Sequence, residues 1–402
     1  MRQRQPHIGK LWRRLRGICA AFLVSVALVT ADYFLSNLSF PLLDASESLW
    51  WFGWSAQKKE DAGFSELLCV NVGLDKDLAV VRDEYGDIIG HAAITDRAKL
   101  LDFLQVAATA DYKYLFLDIR FEKELETEAD SALFAQMRAL PRFTFSTHRS
   151  TNGYELADST LIGQSSRADY RSNMFSGFTR YEFLQDGQES VALRMYRDLT
   201  GSTIRRCGPV YLSGGRPCYN LQFVPMPSNL LFPYGKHGEI RYPYLGSQVM
   251  GMHTDDELAG MMKDRIVIIG DFDNDLHQSY IGEVPGPLIS YYAYRLLKDG
   301  GHCVNPAYVL ILLLIYSLIA YSLLYFRSWT RKWMELLRCK SPLSIFLLSM
   351  LSWEAVLLLL KAVLYLIFGI SFIAVIPSFV FSLFALWKSY MEIRDEAKKN
   401  NK

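Results

Sequence analysis

Three aspartates recur at alternate positions in one short loop, Asp271, Asp273 and Asp275, with His277 close behind. Alternating carboxylates suit calcium, but an EF-hand loop needs Gly at its sixth position and Glu at its twelfth, where this chain has Leu276 and Gly282. Capping of the loop backbone by the aspartate side chains is the better account. His148 stands beside Ser146 and Thr147 with no acid placed near it in sequence, so a surface histidine is a simpler reading than a nucleophilic triad. P-loop, HExxH and GxSxG motifs are absent. No catalytic residue, metal site or cofactor is expected, and the chain reads as something other than an enzyme.

Cys69, Cys207, Cys218 and Cys303 fall in a stretch read below as extracytoplasmic, where disulfides persist. Four thiols allow three full pairings. Cys207 and Cys218 flank a turn at Gly214-Gly215 within residues 208–219, so a disulfide across that hairpin is expected, with Cys69 and Cys303 as the second pair.

The loop aspartates follow a wholly apolar, β-branched run at 266–269, the pattern of a strand buried on both faces. After a Pro/Gly turn, Leu288, Ile289, Tyr292, Ala293, Leu296 and Leu297 recur at helical spacing, one apolar face against that strand. Residues 66–73, 114–117 and 143–145 read as further strands, 78–94 as a hairpin turning at 84–87, and 128–140 as a helix. Thr95 is placed to cap another helix carrying Leu100, Leu101, Leu104 and Ala108. This alternation predicts an α/β domain with a mostly parallel sheet. Such a sheet brings Asn71, Asp118, Arg120, His148, Asp271, Asp273 and Asp275 to its carboxyl edge, where open α/β sheets bind ligands. Residues 149–264 have weak periodicity and read as an irregular inserted region, with a short helix at 190–199.

Hydrophobic residues make up 50% of the 402-residue chain and formal net charge is +1, so membrane segments fit and no basic domain marks a nucleic-acid partner. Residues 1–16 are basic without an acid, ahead of an apolar run at 17–35. Val29-Thr30-Ala31 resembles a cleavage site, but apolar character continues past it; an uncleaved anchor is preferred to a removed signal peptide. Further spans read at 308–326, 343–368 and 371–387. The basic loop 327–341 and the tail 388–402 then lie in the cytoplasm with the N-terminus, leaving 36–305 outside. Trp50, Trp51, Phe52 and Trp54 suit either an interfacial belt or a core helix. Trp329, Trp333, Leu336 and Leu337 suit an amphipathic helix. Glu354 and Lys361 share a face of the third span. Lys361 is expected to snorkel outward, with Glu354 either a polar clamp or neutralised.

Several of these stretches together resemble the CHASE type 2 extracytoplasmic sensor domain of bacterial receptors. The matching pieces are Thr95-Asp96-Arg97 with its helix, Leu117-Asp118-Ile119-Arg120-Phe121, residues 265–270, Asp275, and Pro285-Gly286 before the last helix. Together they cover most of 66–305, best at its two ends, and one helix before with three after is also similar to that family. The wording GDFDNDLHQSYIGEVPG is similar to versions from Bacteroidota, which implies a multi-pass protein of a Gram-negative cell inner membrane with its domain in the periplasm. The family usually continues into a kinase or cyclase, whereas this sequence runs fifteen residues past Trp387. The resemblance therefore implies a sensor that passes a periplasmic signal to a separate partner protein, with a homodimer compatible. A docking subunit of an envelope assembly is the alternative.

Overall fold

The computed structural model describes residues 5–38, 62–83, 85–121, 125, 127–150, 153–154, 158–173, 177–227, 233–235, 238–325, 342–368 and 372–400. The aromatic stretch 50–54 and the loop 327–341 lie outside them, so both readings made there stay with the sequence. The chain divides into two compact units, Phe40–His302 and the pair Met1–Ser39 with Cys303–Lys402.

The first unit is an α/β domain built on a five-stranded, all-parallel sheet. Its strands are β1 (Leu67–Asn71), β2 (Tyr114–Asp118), β3 (Phe143–Thr147), β4 (Ser165–Arg167) and β5 (Ile266–Gly270), in spatial order β1-β5-β2-β3-β4. β1, β3 and β5 are buried along their whole length, as the mostly apolar runs of β1 and β5 require; β3 alternates Phe with Thr and Ser and is buried nonetheless. Register aligns Leu68, Val267, Leu115 and Phe143 on one face. That face packs into one core with α2 (Arg97–Thr109), α3 (Asp130–Ala139) and α5 (Asp255–Met262), through Leu100, Phe103, Leu133, Met137, Leu258 and Met262. The opposite face is covered by α4 (Val191–Thr200) and α6 (Gly286–Lys298), which also pack on each other.

Several local expectations are revised. Asp96, not Thr95, caps α2: its carboxylate accepts from Lys99 N at 3.0 Å, while Thr95 ends the strand Ile88–Thr95. Arg97 then turns inward, pairs with Asp130 and lies over the Phe121 ring, which fixes α2 to α3. Rather than presenting one face, α6 buries every residue from Gly286 to Tyr294. The stretch after β5 is not all loop; Leu276–Ser279 and Gly282–Pro285 form a hairpin that joins Gly177–Glu182 and Leu221–Phe223 in a second sheet. The expected turn at Gly214-Gly215 exists, within a three-stranded sheet of 204–207, 210–213 and 216–218.

This last sheet rules out the Cys207–Cys218 bridge. The two cysteines stand on its outer strands with a third strand between, roughly 10 Å apart at ordinary strand spacing, against a disulfide limit near 7 Å between Cα atoms. Register also sets Cys218 opposite Tyr211 and Cys207 opposite Val210, on alternate faces, one buried and one exposed. Cys69 is a buried thiol in β1, and no disulfide involves it.

Among the described residues, the second unit contains three helices long and apolar enough to cross a membrane, spanning Leu15–Ser36, Pro306–Tyr325 and Phe346–Phe368. They belong to α1 (Gln5–Ser36), α7 (Pro306–Tyr325) and α8 (Pro342–Phe368). α9 (Val375–Asn400) has a shorter apolar segment, Val375–Met391, and starts later than the expected 371. α1 packs on α7 and α8 on α9. Polar groups stitch them: Ser25 Oγ donates to Leu313 O at 2.7 Å, Asp32 accepts from Ile373 N at 2.8 Å, and Ser378 Oγ donates to Glu354 at 2.6 Å. Lys361 does not snorkel; it is 5% exposed, buried within the helix bundle. Burying an ammonium there costs enough to require partners inside the bundle.

Candidate functional site

Because all five central strands run the same way, their last residues share one edge. Asn71, Gly270 and Asp118 stand in register there, and Thr147 pairs with Arg167. The residues expected at this edge do reach it, but they separate into two groups with different chemistry.

Asn71, Asp271 and Asp273 form the first group. Asp271 Oδ1 accepts from Asn274 N at 2.9 Å and Asp273 N at 3.2 Å, and its Oδ2 lies 2.8 Å from Lys76 Nζ. Burial opposes ionisation of Asp271, but the bonds from Lys76 and Asn274 hold its pKa below the usual carboxylate value. Asn71 Nδ2 donates to Asp273 at 2.9 Å, while its Oδ1 accepts from Gly73 N and Phe272 N. The Tyr244 hydroxyl bonds Asp273, which raises the phenol's pKa. A Cβ on Gly73 would meet Asp273, Asp271 and Asn71 oxygens at 2.8, 2.9 and 3.1 Å, so only glycine fits beneath them. These side chains are spent on fixing the loop after β5 to β1, which is a structural role.

Asp118 and Asp275 belong to the second group, joined by His148. Sheet register places Asp118 next to Ser146 on one face, because Leu117 stands opposite Phe145. Burial pushes Asp118 up to about 6; the charge of Asp275 adds to this, while Ser146, His148 and His277 oppose it. As a whole residue, Asp118 is mostly buried at the end of β2. His148 Nδ1 lies 3.1 Å from Asp169 Oδ1, and that bond raises the imidazole pKa against burial, with Asp118 assisting and Arg120 opposing. His277 Nε2 lies 2.7 Å from Asp275 Oδ1. The Tyr170 ring stacks edge-on against His277 at 4.8 Å, and its pKa is raised by burial and by Asp275 and Asp118.

Tyr170 Oη is buried with no hydrogen-bond partner among the described residues, and the buried Ser146 hydroxyl stands beside Asp118, whose ionised form it favours by a hydrogen bond. Sequence reasoning did not find Asp169 or Tyr170. Both follow β4, a strand of three residues inside the weakly periodic insertion, and nothing in their spacing announces them. Arg120 stays at this edge as a charge beside His148.

The arrangement gathers carboxylates, imidazoles and hydroxyls at one end of the sheet, a set able to exchange protons near neutrality. Among the described residues no group of three or more His, Cys, Asp or Glu has metal-holding geometry. Comparison of the chain with protein-family models, curated proteins and solved structures finds no match.

Proposed function

We propose that this chain is a membrane-anchored receptor whose α/β domain lies outside the cytoplasm, in the periplasm of a bacterial inner membrane. A ligand at the carboxyl edge of the parallel sheet is the signal, and a separate cytoplasmic or membrane protein receives it. The observation that carries this reading is the cluster of polar groups around Asp118, His148 and Tyr170, in a chain whose described residues include three membrane-length helices. On this reading α9 supplies a fourth span through Val375–Met391, and the basic segments at 1–16, 327–341 and the tail face the cytoplasm. The sequence resemblance to CHASE type 2 sensor domains supports the same assignment. Crosslinking of the full-length protein in its native membrane tests it: capture of a kinase, cyclase or other signalling protein is expected.

A second reading, a docking subunit of an envelope assembly, is favoured by one feature. The hairpin Lys76–Arg82 with Ile88–Thr95 exposes Leu78, Ile88 and Ile89, and Tyr85 stands exposed in the connection between its strands. Capture of envelope assembly proteins alone, lost when Leu78 and Ile89 are changed to Ser, decides for it and against the receptor.

A further inference from the structure

Tyr219 N donates to His302 O at 2.8 Å, a single backbone bond between two segments far apart in sequence. Both of its ends are held firmly. His302 is 1% exposed, its Nε2 lies 3.0 Å from Ser213 Oγ, and its ring packs edge-on against Tyr196 at 5.5 Å. Tyr219 follows the strand Arg216–Cys218, whose register with Val210–Ser213 sets Cys218 opposite Tyr211. The residue before one end of the bond is therefore Cys218, and the residue after the other is Cys303.

Cys303 makes an isolated β-bridge. Chain connectivity alone puts it beside this strand, because one peptide, about 3.8 Å between Cα atoms, joins it to His302. Two kinds of bridge at Cys303 would include the Tyr219–His302 bond. A parallel one takes Tyr219 as partner, and Tyr219 stands in no strand or bridge. An antiparallel one takes Cys218, the last residue of its strand. The second makes Cys218 and Cys303 a directly opposed pair of the non-hydrogen-bonded kind, in which Cα atoms are about 4.5 Å apart and the side chains adjoin. A disulfide spans roughly 4.4–6.8 Å between Cα atoms, so the backbone already meets its requirement. Cys69 is packed in the central sheet opposite Ile268, and Cys207 is separated from Cys218 by a strand.

We propose that Cys218 and Cys303 are a disulfide pair, closed by a disulfide-bearing oxidant outside the cytoplasm. Cys303 is half-buried and Cys218 is 0% exposed, so the oxidant meets Cys303 first. The Cys303 thiolate attacks the oxidant's disulfide and displaces one of its sulfurs. The Cys218 thiolate then attacks the Cys303 sulfur and displaces the other. One S–S bond forms and one breaks; two electrons pass from the cysteines to the oxidant, and their two protons end on its released thiols.

The bond fixes the chain just ahead of α7. Only Val304 and Asn305 stand between Cys303 and Pro306, and Asn305 Oδ1 already accepts from Ala307 N at 2.9 Å. The oxidising surroundings rest on the receptor reading, and on that reading so short a link passes movement of the domain to the helix.

The test uses purified full-length protein in detergent, reduced, freed of reductant and equilibrated with oxidised glutathione. Remaining thiols are then alkylated under denaturing conditions, and the chain is digested without reduction. Mass spectrometry should find Cys218 joined to Cys303 in most chains, the linked peptides separating when dithiothreitol is added. Cys303→Ser should abolish the linked pair, and Cys207→Ser should leave it. Recovery of Cys218 and Cys303 both alkylated, or of Cys303 joined to Cys69 or Cys207, overturns the proposal. The same digest on protein alkylated in its native membrane reads the compartment separately. A bonded pair there supports the placement outside the cytoplasm; a pair that is reduced there yet closes with glutathione counts against that placement and leaves the pairing established.

Discussion

His277 Nε2 and Asp275 Oδ1 lie 2.7 Å apart, and both side chains rest directly on the backbone of Gly286, the first residue of α6. The hairpin after β5 is thereby pinned to a helix start, and Asp275 is held where its charge acts on Asp118. A Cβ at Gly286 would stand 2.3 Å from Asp275 Oδ2 and 2.9 Å from His277 Nε2.

Gly286→Ala is accordingly expected to destabilise the domain by about 1–3 kcal/mol, the range for overpacking. Gly260→Ala provides the contrast. That glycine is inside α5 with nothing within 4 Å of an added Cβ, so the change should stabilise by roughly 0.5–1 kcal/mol. Denaturant titration of the two variants checks both signs, and equal effects would remove the close-approach argument.

Stability should depend on pH through Asp118 and His148 in separate windows. Asp118 has a folded pKa of about 6 against an ordinary 3.8, so the folded state binds more protons between those values. Its contribution is present below pH 3.8 and is lost as pH rises to about 6. His148 is raised above its ordinary 6.5, so its contribution is full below 6.5 and is lost as pH passes through the higher folded value. Asp118→Asn should flatten the first slope and narrow the second, because the Asp118 charge helps to raise His148. Chemical unfolding at several pH values from 4 to 8 checks this; an unchanged slope below pH 6 in the variant refutes it.

Arg97 and Asp130 form a buried ion pair, with side chains 2% and 8% exposed. Removing one partner strands the other, and Arg97→Met should cost about 3–5 kcal/mol. Arg138 and Asp158 pair on the surface, with 39% and 26% exposed, and Arg138→Met should cost less than about 1 kcal/mol. Melting curves of the two variants give the comparison directly.

Glu354 and Ser378 join α8 to α9 by a 2.6 Å hydrogen bond. Glu354→Gln keeps an acceptor and should leave the bundle intact. Glu354→Leu should cost about 0.5–2 kcal/mol, the scale of hydrogen bonds between membrane helices. Unfolding in mixed detergent micelles measures the difference; identical behaviour of the two variants would show that the bond contributes nothing.

Much of the architecture was legible in sequence because it rests on periodicity. Continuous apolar runs such as 266–269 and 114–117 can only be strands covered on both faces, and that dictates a parallel sheet with helices on each side. A parallel sheet in turn gathers the ends of its strands, so Asn71, Asp118, His148 and Asp271 could be placed at one edge without coordinates. The long apolar helices were equally plain, since a membrane-length run without charge has few other uses.

Tertiary structure decided what each edge residue does. Asp271 and Asp118 are both aspartates just at or past a strand end, yet Lys76 and Asn274 hold one ionised while burial and Asp275 push the other toward neutrality. Those partners come from distant segments, and a pKa depends on the three-dimensional surroundings that sequence spacing does not encode. Asp169 and Tyr170 enter the site from an irregular insertion, where no period of 2 or 3.6 marks which side chain turns inward. Cys207 and Cys218 failed as a pair for the same reason: a turn between them was readable, but the third strand that separates them was not. Lys361, expected at the bilayer surface, was retained inside because helix packing set its direction, and charge alone could not.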